Sequence, residues 1–286
     1  MSSRSMIDPT PSPALVLVAT PIGNWDDISA RALRELRDAD SVACEDSRRT
    51  GALFAHFGIA HDPFIVCNDH TEGHAADEIV RRIESGQRVA LVSDAGTPAI
   101  SDPGYRVVRA AIDADLAVHV VPGASAVLAA VSLSGFATDR FCFDGFLPRK
   151  GGERARRLET IGAETRTTVI FESPRRLSAT LTDLRAACGE DRNVAIAREL
   201  TKTYEEIWRG GIGEAIEHFA AKPAKGEIVI VIEGAVAREV SDDDLVALLR
   251  SEREGGASTR DAVAAVMDRT GAAKRRVYDL ANQLDE

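Results

Sequence analysis

The chain has 286 residues and a formal net charge of −10, with 44% hydrophobic and 28% charged residues. That length exceeds a comfortable single core and predicts about two domains of ordinary globular composition. The acidic balance excludes a whole-chain basic field for nucleic acid, and no apolar run approaches the roughly 20 residues that span a bilayer.

Residues 1–13, MSSRSMIDPTPSP, are polar and proline-rich, lack the apolar core of a signal peptide, and read as a disordered tail. From residue 14 short apolar runs alternate with amphipathic stretches. Leu15–Ala19 reads as a strand, and Asp26 or Asp27 can cap a helix with Ile28, Ala32 and Leu36 on one face. Ser41–Cys44 is a second strand, and a helix through Leu53, Phe54 and Phe57 stops at Gly58. Phe64–Cys67, Arg88–Val92 and Ala117–Val121 complete five strands, with a helix through Ile79 and Ile83 closed by Gly86. This alternation predicts a largely parallel sheet covered on both faces. A second set follows at Phe141–Phe146, Thr168–Phe171, Val194–Ala197, Glu205–Arg209 and Ile228–Ile232. Its third and fourth runs have no helix between them, so part of that sheet is expected to be antiparallel. The last residues, from 237 on, carry no strand signal. Asp242–Arg250, Thr259–Arg269 and Lys274–Leu284 read as three helices, either a helix-turn-helix-like module or a helical cap. The expected division is an N-terminal α/β lobe over 14–127, a C-terminal α/β lobe over 128–236 and the helical module over 237–286.

The four cysteines, Cys44, Cys67, Cys142 and Cys188, are far apart with no C-x-x-C pair. They predict buried thiols in a reducing, cytosolic compartment and neither a zinc site nor a disulfide framework. His70 and His74 are spaced i and i+4 but lack a third ligand, so no metal is expected.

Three strand ends are unusually rich in glycine and proline: residues 19–24, residues 93–98 with 101–104 just beyond, and residues 121–125. Beyond the carboxyl ends of α/β strands such loops hold ligands, because glycine lets backbone approach closely and proline stiffens the turn. One such loop is an ordinary strand-to-helix turn; three in one lobe predict a shared small-molecule site. The P-loop and the dinucleotide G-x-G-x-x-G are both missing, which weakens readings as a nucleoside-triphosphate or NAD site.

Six ordered motifs carry a resemblance. Val18-Ala-Thr-Pro-Ile-Gly-Asn24, Cys44-Glu-Asp-Ser-Arg48, Val92-Ser-Asp-Ala-Gly-Thr-Pro98, Val121-Pro-Gly-Ala-Ser-Ala126, Phe171-Glu-Ser-Pro-Arg-Arg176 and Ala197-Arg-Glu-Leu-Thr-Lys202 together resemble the tetrapyrrole-methylase superfamily. Within it they are most similar to the branch of small-subunit ribosomal RNA methyltransferases I, over roughly residues 14–286. The resemblance implies S-adenosylmethionine (SAM) as donor in a cleft between two α/β lobes. It also implies 2′-O-methylation of a cytidine in the decoding region of 16S rRNA, and a homodimer. Trp25, Cys44 and Ser47 depart conservatively from the family wording. Carried over by position, the donor site would use Ile22 and Gly23; Asp94, Gly96, Thr97 and Ile100; Gly123, Ala124 and Ser125; and Phe171, Glu227 and Ile228.

A ribose hydroxyl is a weak acid and benefits from a general base. Glu45, Asp46, Glu199 and Lys202 are candidates, with Lys202 favoured as a buried lysine of lowered pKa oriented by Glu199; the alternative is a structural ion-pair network of Arg198, Glu199 and Lys202. For RNA, the run 148–157 suggests a flexible loop offering Arg149, Lys150, Arg154, Arg156 and Arg157 to phosphate, with Arg48, Arg49 and Arg175 near the cleft. Pro174 suits the first turn of a helix capped by Ser173. Two rival readings are a methylase of a tetrapyrrole intermediate and a non-catalytic SAM-binding ribosome-assembly factor. The basic run and the helical tail argue against the first.

Overall fold

The computed structural model describes residues 12–61, 63–236 and 241–284; most of the expected N-terminal tail, residues 1–11, lies outside them. The first lobe comprises β1 (Ala14–Val18), α1 (Ala30–Asp38), β2 (Ser41–Cys44), α2 (Ser47–His56), β3 (Ile65–Val66), α3 (Glu72–Glu84), β4 (Arg88–Val92), α4 (Tyr105–Asp113), β5 (Val118–Val121) and α5 (Ala126–Ser134). Its strands pair in parallel in the order β3-β2-β4-β1-β5. Strand periodicity sorts the core into two layers. Ala14, Val16 and Val18 pack with Ala32, Leu36 and Phe54 of α1 and α2 on one face. Leu15, Val89 and Leu91 pack with Ile79, Ile83, Val107 and Ala111 of α3 and α4 on the other. The cap of α1 differs from expectation: Ser29, not Asp26 or Asp27, accepts from the Ala32 amide, and Trp25–Asp27 form a separate 3-10 turn.

The strand order has a direct consequence for function. β4, β1 and β5 are neighbours, so the glycine- and proline-rich loops that follow them emerge side by side. Thr20 and Gly96 exchange backbone hydrogen bonds of 2.8 and 3.0 Å, tying the first loop to the second.

The second lobe comprises β6 (Phe141–Phe146), α6 (Gly152–Ala163), β7 (Thr167–Glu172), α7 (Leu177–Cys188), β8 (Asn193–Arg198), β9 (Glu206–Gly211), α8 (Ile212–Ala221) and β10 (Ile228–Ile232). The order is β6-β7-β10-β8-β9, parallel between β6 and β7 and antiparallel elsewhere. Helices α6, α7 and α8 cover one face through Leu158, Leu181, Leu184, Ile212 and Phe219. The other face is covered by α5, whose Val127, Ala130 and Val131 pack on Val169, Ala195, Ala197 and Val229. That helix spans residues 127 and 128 and seats the first lobe on the second sheet.

Among the described residues the two α/β lobes together form one compact unit that ends at Ala235, and the helices that follow form a second. In the second unit α9 (Asp242–Glu254), α10 (Thr259–Thr270) and α11 (Lys274–Gln283) close around Leu245, Leu249, Val263, Val266 and Val277. Ser241 and Ser258 cap the first two helices, and Gly271 ends α10 in the left-handed conformation.

Candidate active site

A cavity of about 530 Å³ opens between the strand-end loops of the first lobe and the second sheet. The first lobe lines it with Ile22, Glu45, Arg49, residues 94–97, residues 100–102 and residues 125–128. The second lobe adds Phe143, Phe146, residues 171–174, Ala197, Leu200 and residues 226–229. The floor loop holds unusual backbone: Ala99 and Ser101 sit at φ of 68° and 59°, a region that non-glycine residues seldom occupy. Strain of this kind persists where the surroundings over-determine it. Here the buried Glu72 carboxylate accepts from the Gly104 and Arg106 amides at 2.8 and 2.9 Å and holds the loop's far end.

The two lobes are also clamped beside the cavity. The Asn24 amide donates to Thr201 Oγ1 at 3.0 Å. A Cβ on Gly23 would lie 2.5 Å from Lys202 Cγ and 2.9 Å from the Leu200 carbonyl oxygen, so only glycine admits this approach.

The interior is acidic. Asp94 accepts from the Asp46 amide at 3.0 Å and faces Arg49 at 3.4 Å. Burial still pushes its carboxyl above the ordinary value, the amide and Arg49 opposing. Glu45 is raised by burial and then by Asp94. Asp102 is raised furthest, to about 6, by burial and then by Glu45, against a hydrogen bond from Ser93. Desolvated carboxylates that repel one another hold their protons more tightly. Such a group in a cleft is suited to proton transfer near neutrality. Around these acids Ile22, Ile100, Phe143, Phe171 and Ile228 form apolar walls.

Residues 14–216, which carry the three adjacent glycine loops and most of the cavity lining, match the family model for Tetrapyrrole (Corrin/Porphyrin) Methylases. The chain belongs to the tetrapyrrole methylase family. This methylase is 42% identical over 274 residues to the ribosomal RNA small subunit methyltransferase I of Synechocystis sp., covering 95% of this chain and 98% of that relative. The crystal structure of the methyltransferase CobJ is similar with a TM-score of 0.60 at 20% identity, over 78% of this chain and 95% of that one. A uroporphyrin-III C-methyl transferase from Thermus thermophilus, complexed with S-adenyl homocysteine, is similar with a TM-score of 0.55 at 18% identity, over 76% and 96%. The structural likenesses are likenesses of fold.

Of the methylase's expected donor-site residues, Ile22, Asp94, Gly96, Thr97, Ile100, Ser125, Phe171, Glu227 and Ile228 line the cavity. Gly23, Gly123 and Ala124 stand behind it. Gly23 packs against residues 200–202, a Cβ on Gly123 would meet that of Ala19 at 2.9 Å, and the Ala124 carbonyl accepts from Thr97 Oγ1 at 3.5 Å.

The expectation of a lowered Lys202 pKa is overturned. Its ammonium donates to Glu199 at 2.9 Å and Glu227 at 3.0 Å. Partial burial alone would depress the pKa, but the two carboxylates outweigh it and hold the value above the ordinary one. Glu199 also accepts from the Glu227 amide, and it is held below the usual carboxylate range because these hydrogen bonds outweigh its burial. The ion-pair alternative therefore describes these residues, with Glu227 in place of Arg198, which instead pairs with Glu206.

The basic run is not a flexible loop beyond Gly152. α6 begins there, and Arg154 is buried in a bond set with Asp183, Thr180 Oγ1 and the Pro148 carbonyl, which ties α6 to α7. Arg154 is thus unavailable to phosphate. Arg157 donates to the Asp144 carbonyl at 3.3 Å, while Arg149, Lys150, Arg156 and Arg175 are exposed. Arg48 folds onto Asp46, the cap of α2, at 2.6 Å, and Arg49 lines the cavity. Helix α7 begins at Leu177, after a turn in which the Arg176 and Leu177 amides donate to the Ser173 carbonyl, so Pro174 lies outside it.

Asp102, Phe143, Phe146 and Leu128 are cavity residues that sequence reasoning did not single out. Asp102 sits in a loop flagged for its glycine and proline, and Phe146 follows a glycine inside a strand, the usual mark of a bulge. Cys44 and Cys67 are buried, and burial pushes their thiols up to about 11 and about 12, which makes them poor nucleophiles. Among the described residues no helix is long and apolar enough to cross a membrane, and no group of His, Cys, Asp and Glu could hold a metal ion.

Proposed function

We propose that this enzyme is a SAM-dependent methyltransferase of small-subunit ribosomal RNA that methylates the ribose 2′-hydroxyl of a cytidine in the decoding region of 16S rRNA. The observation that carries the reading is the 42% identity to a ribosomal RNA small subunit methyltransferase I over 95% of the chain, the helical module included. The structures of tetrapyrrole-pathway enzymes match at 20% identity or less over about three quarters of it, which leaves a macrocycle substrate without comparable support.

The cavity fits the donor chemically. SAM carries a sulfonium and an ammonium, and Asp94, Glu227 and the neighbouring Glu45 and Asp102 give that cation an acidic enclosure. Ile22, Ile100, Phe171 and Ile228 offer apolar surface to a flat adenine, while Gly96, Thr97 and Ser125 present polar backbone and hydroxyl groups. When bound, the donor supplies an electrophilic methyl group. The chain's own task is to align the ribose and accept one proton from its 2′-hydroxyl. We assign that proton to Asp102, an ionised carboxylate above pH about 6. Lys202 and Glu199 are assigned to clamping residues 199–202 against the first lobe. The reading includes a cytosolic homodimer, which sedimentation of the purified chain tests.

The decisive experiment is transfer of tritium from labelled SAM to small ribosomal subunits from a strain lacking this protein, followed by nucleoside analysis. 2′-O-methylcytidine is the expected product. Donor binding without transfer to subunits or naked RNA would overturn the substrate.

A further inference from the structure

Strand β6 reads Phe-Cys-Phe-Asp-Gly-Phe and breaks its register with β7. Phe143 pairs with Val169, but the next pair is Phe146 with Phe171, so three steps on β6 match two on β7. Regular alternation would put residues 143 and 146 on opposite faces. The extra residue, with Gly145 at φ 61°, brings both to the same face. Both line the cavity, and both meet Phe171 edge-on, at ring-centroid distances of 4.9 and 5.5 Å. A Cβ on Gly145 would approach Ser101 Oγ at 3.1 Å, so the bulge also sits against the strained loop of the first lobe.

The result of this device is an aromatic ring that is 54% exposed on a cavity wall. Core packing does not ask for it, since Leu147 next to it already fills the opposite layer. Charge around the ring is uneven. Glu45, Asp94, Asp102 and Glu227 line the cavity, with Arg49 as the cation among them. Arg149 and Lys150, three and four residues beyond Phe146, and Arg175, in the turn after the neighbouring parallel strand, are exposed and have no ion-pair partner among the described residues. Phosphates are favoured beside these exposed cations and disfavoured in a cavity whose carboxylates outnumber Arg49, so a neutral base with its ribose is the part of an RNA best suited to enter. Aromatic faces bind an unpaired base by stacking, worth about 1–3 kcal/mol.

We propose that Phe146 is the stacking platform for the target nucleobase, which enters the cavity unpaired while its flanking phosphates rest on Arg149, Lys150 and Arg175. This rests on the RNA reading above and adds how the substrate nucleotide is held. A base extruded from its stack is what chemistry on a buried ribose or base requires.

The test uses the full chain and its Phe146→Ala and Phe146→Trp variants, whose half-exposed site keeps all three folded. Two readouts are taken: SAM affinity by calorimetry, and quenching of pyrrolocytidine placed in a single-stranded RNA. The expected outcome is unchanged SAM affinity in all three. Quenching is strong for the wild type and for Phe146→Trp and lost for Phe146→Ala, with kcat/KM for small subunits falling about tenfold or more in Phe146→Ala alone. Weakened SAM binding in Phe146→Ala would overturn the proposal by assigning the ring to the donor, and so would equal quenching by wild type and Phe146→Ala. Wild-type transfer with an unaffected Phe146→Ala variant would sink this inference and leave the RNA reading standing. No transfer by the wild type would sink the RNA reading and this inference with it.

Discussion

Two groups of carboxylates flank the same cavity and differ in everything that decides their roles. Glu199 and Glu227 both accept from Lys202, and Glu199, which also accepts from the Glu227 amide, is held below the ordinary carboxylate range. Glu45, Asp94 and Asp102 crowd together with Arg49 as the cation at hand, and all three are raised. We assign the satisfied group to the junction between lobes and the frustrated group to proton transfer. Sequence composition cannot separate the two, because both are acids beside basic residues. What separates them is the number of donors that the fold brings to each.

The sharpest way to break this contrast is Asp102→Asn. It removes the proposed proton acceptor without changing volume, so turnover should fall about a hundredfold with SAM affinity nearly unchanged, read by single-turnover transfer and calorimetry. Next in size is Arg154→Ala. It should cost about 2–3 kcal/mol of stability in denaturant titration, because Asp183 and Thr180 lose a buried partner, with no change in the salt dependence of RNA binding. Gly23→Ala should follow, at about 1–3 kcal/mol, since the Leu200 carbonyl is backbone and cannot step aside.

These cases also show what is legible in the sequence. The short apolar runs at residues 14–18 and 88–92 can be read directly, because strands buried on both faces are apolar throughout, and the missing helix between the runs at 194–197 and 205–209 announces antiparallel pairing in part of the second sheet. The three ligand loops can be read from glycine and proline. Their adjacency cannot, because it follows from the strand order β4-β1-β5, which no local pattern encodes. Lys202 and Arg154 mislead for the same reason. Glu227 and Asp183, the partners that fix their roles, lie 25 and 29 residues away in sequence. The glycine pair at 151–152 masks the start of α6, and the glycine at 145 hides a bulge that turns Phe146 into the cavity.

Two smaller effects sharpen the contrast from each side. Lys202→Met should lower stability by about 1 kcal/mol at pH 7, where the lysine is fully charged, and reduce turnover by less than about fivefold. A lysine whose folded pKa is raised contributes stability below its unfolded pKa and loses it only as pH rises through the folded value, so the loss should be flat from pH 6 to 9. For Asp102 the sign is opposite in consequence. Its folded pKa lies near 6 against an ordinary 3.8, so its ionisation weakens the fold as pH rises through that window. Asp102→Asn should therefore gain about 1 kcal/mol at pH 7.5, allowing for partial solvent screening, and gain nothing below pH about 4, as melting curves at the two pH values would show.

The measurement that bears most directly on the contrast is the pH profile of kcat/KM for methyl transfer to small ribosomal subunits, taken for the wild type, Lys202→Met and Asp102→Asn. If Asp102 accepts the proton, the first two show an acidic limb with a midpoint near pH 6, and the limb disappears in the low residual activity of the third. An acidic limb that survives in Asp102→Asn, or activity abolished in Lys202→Met, would contradict this division of roles and return the lysine to the chemistry.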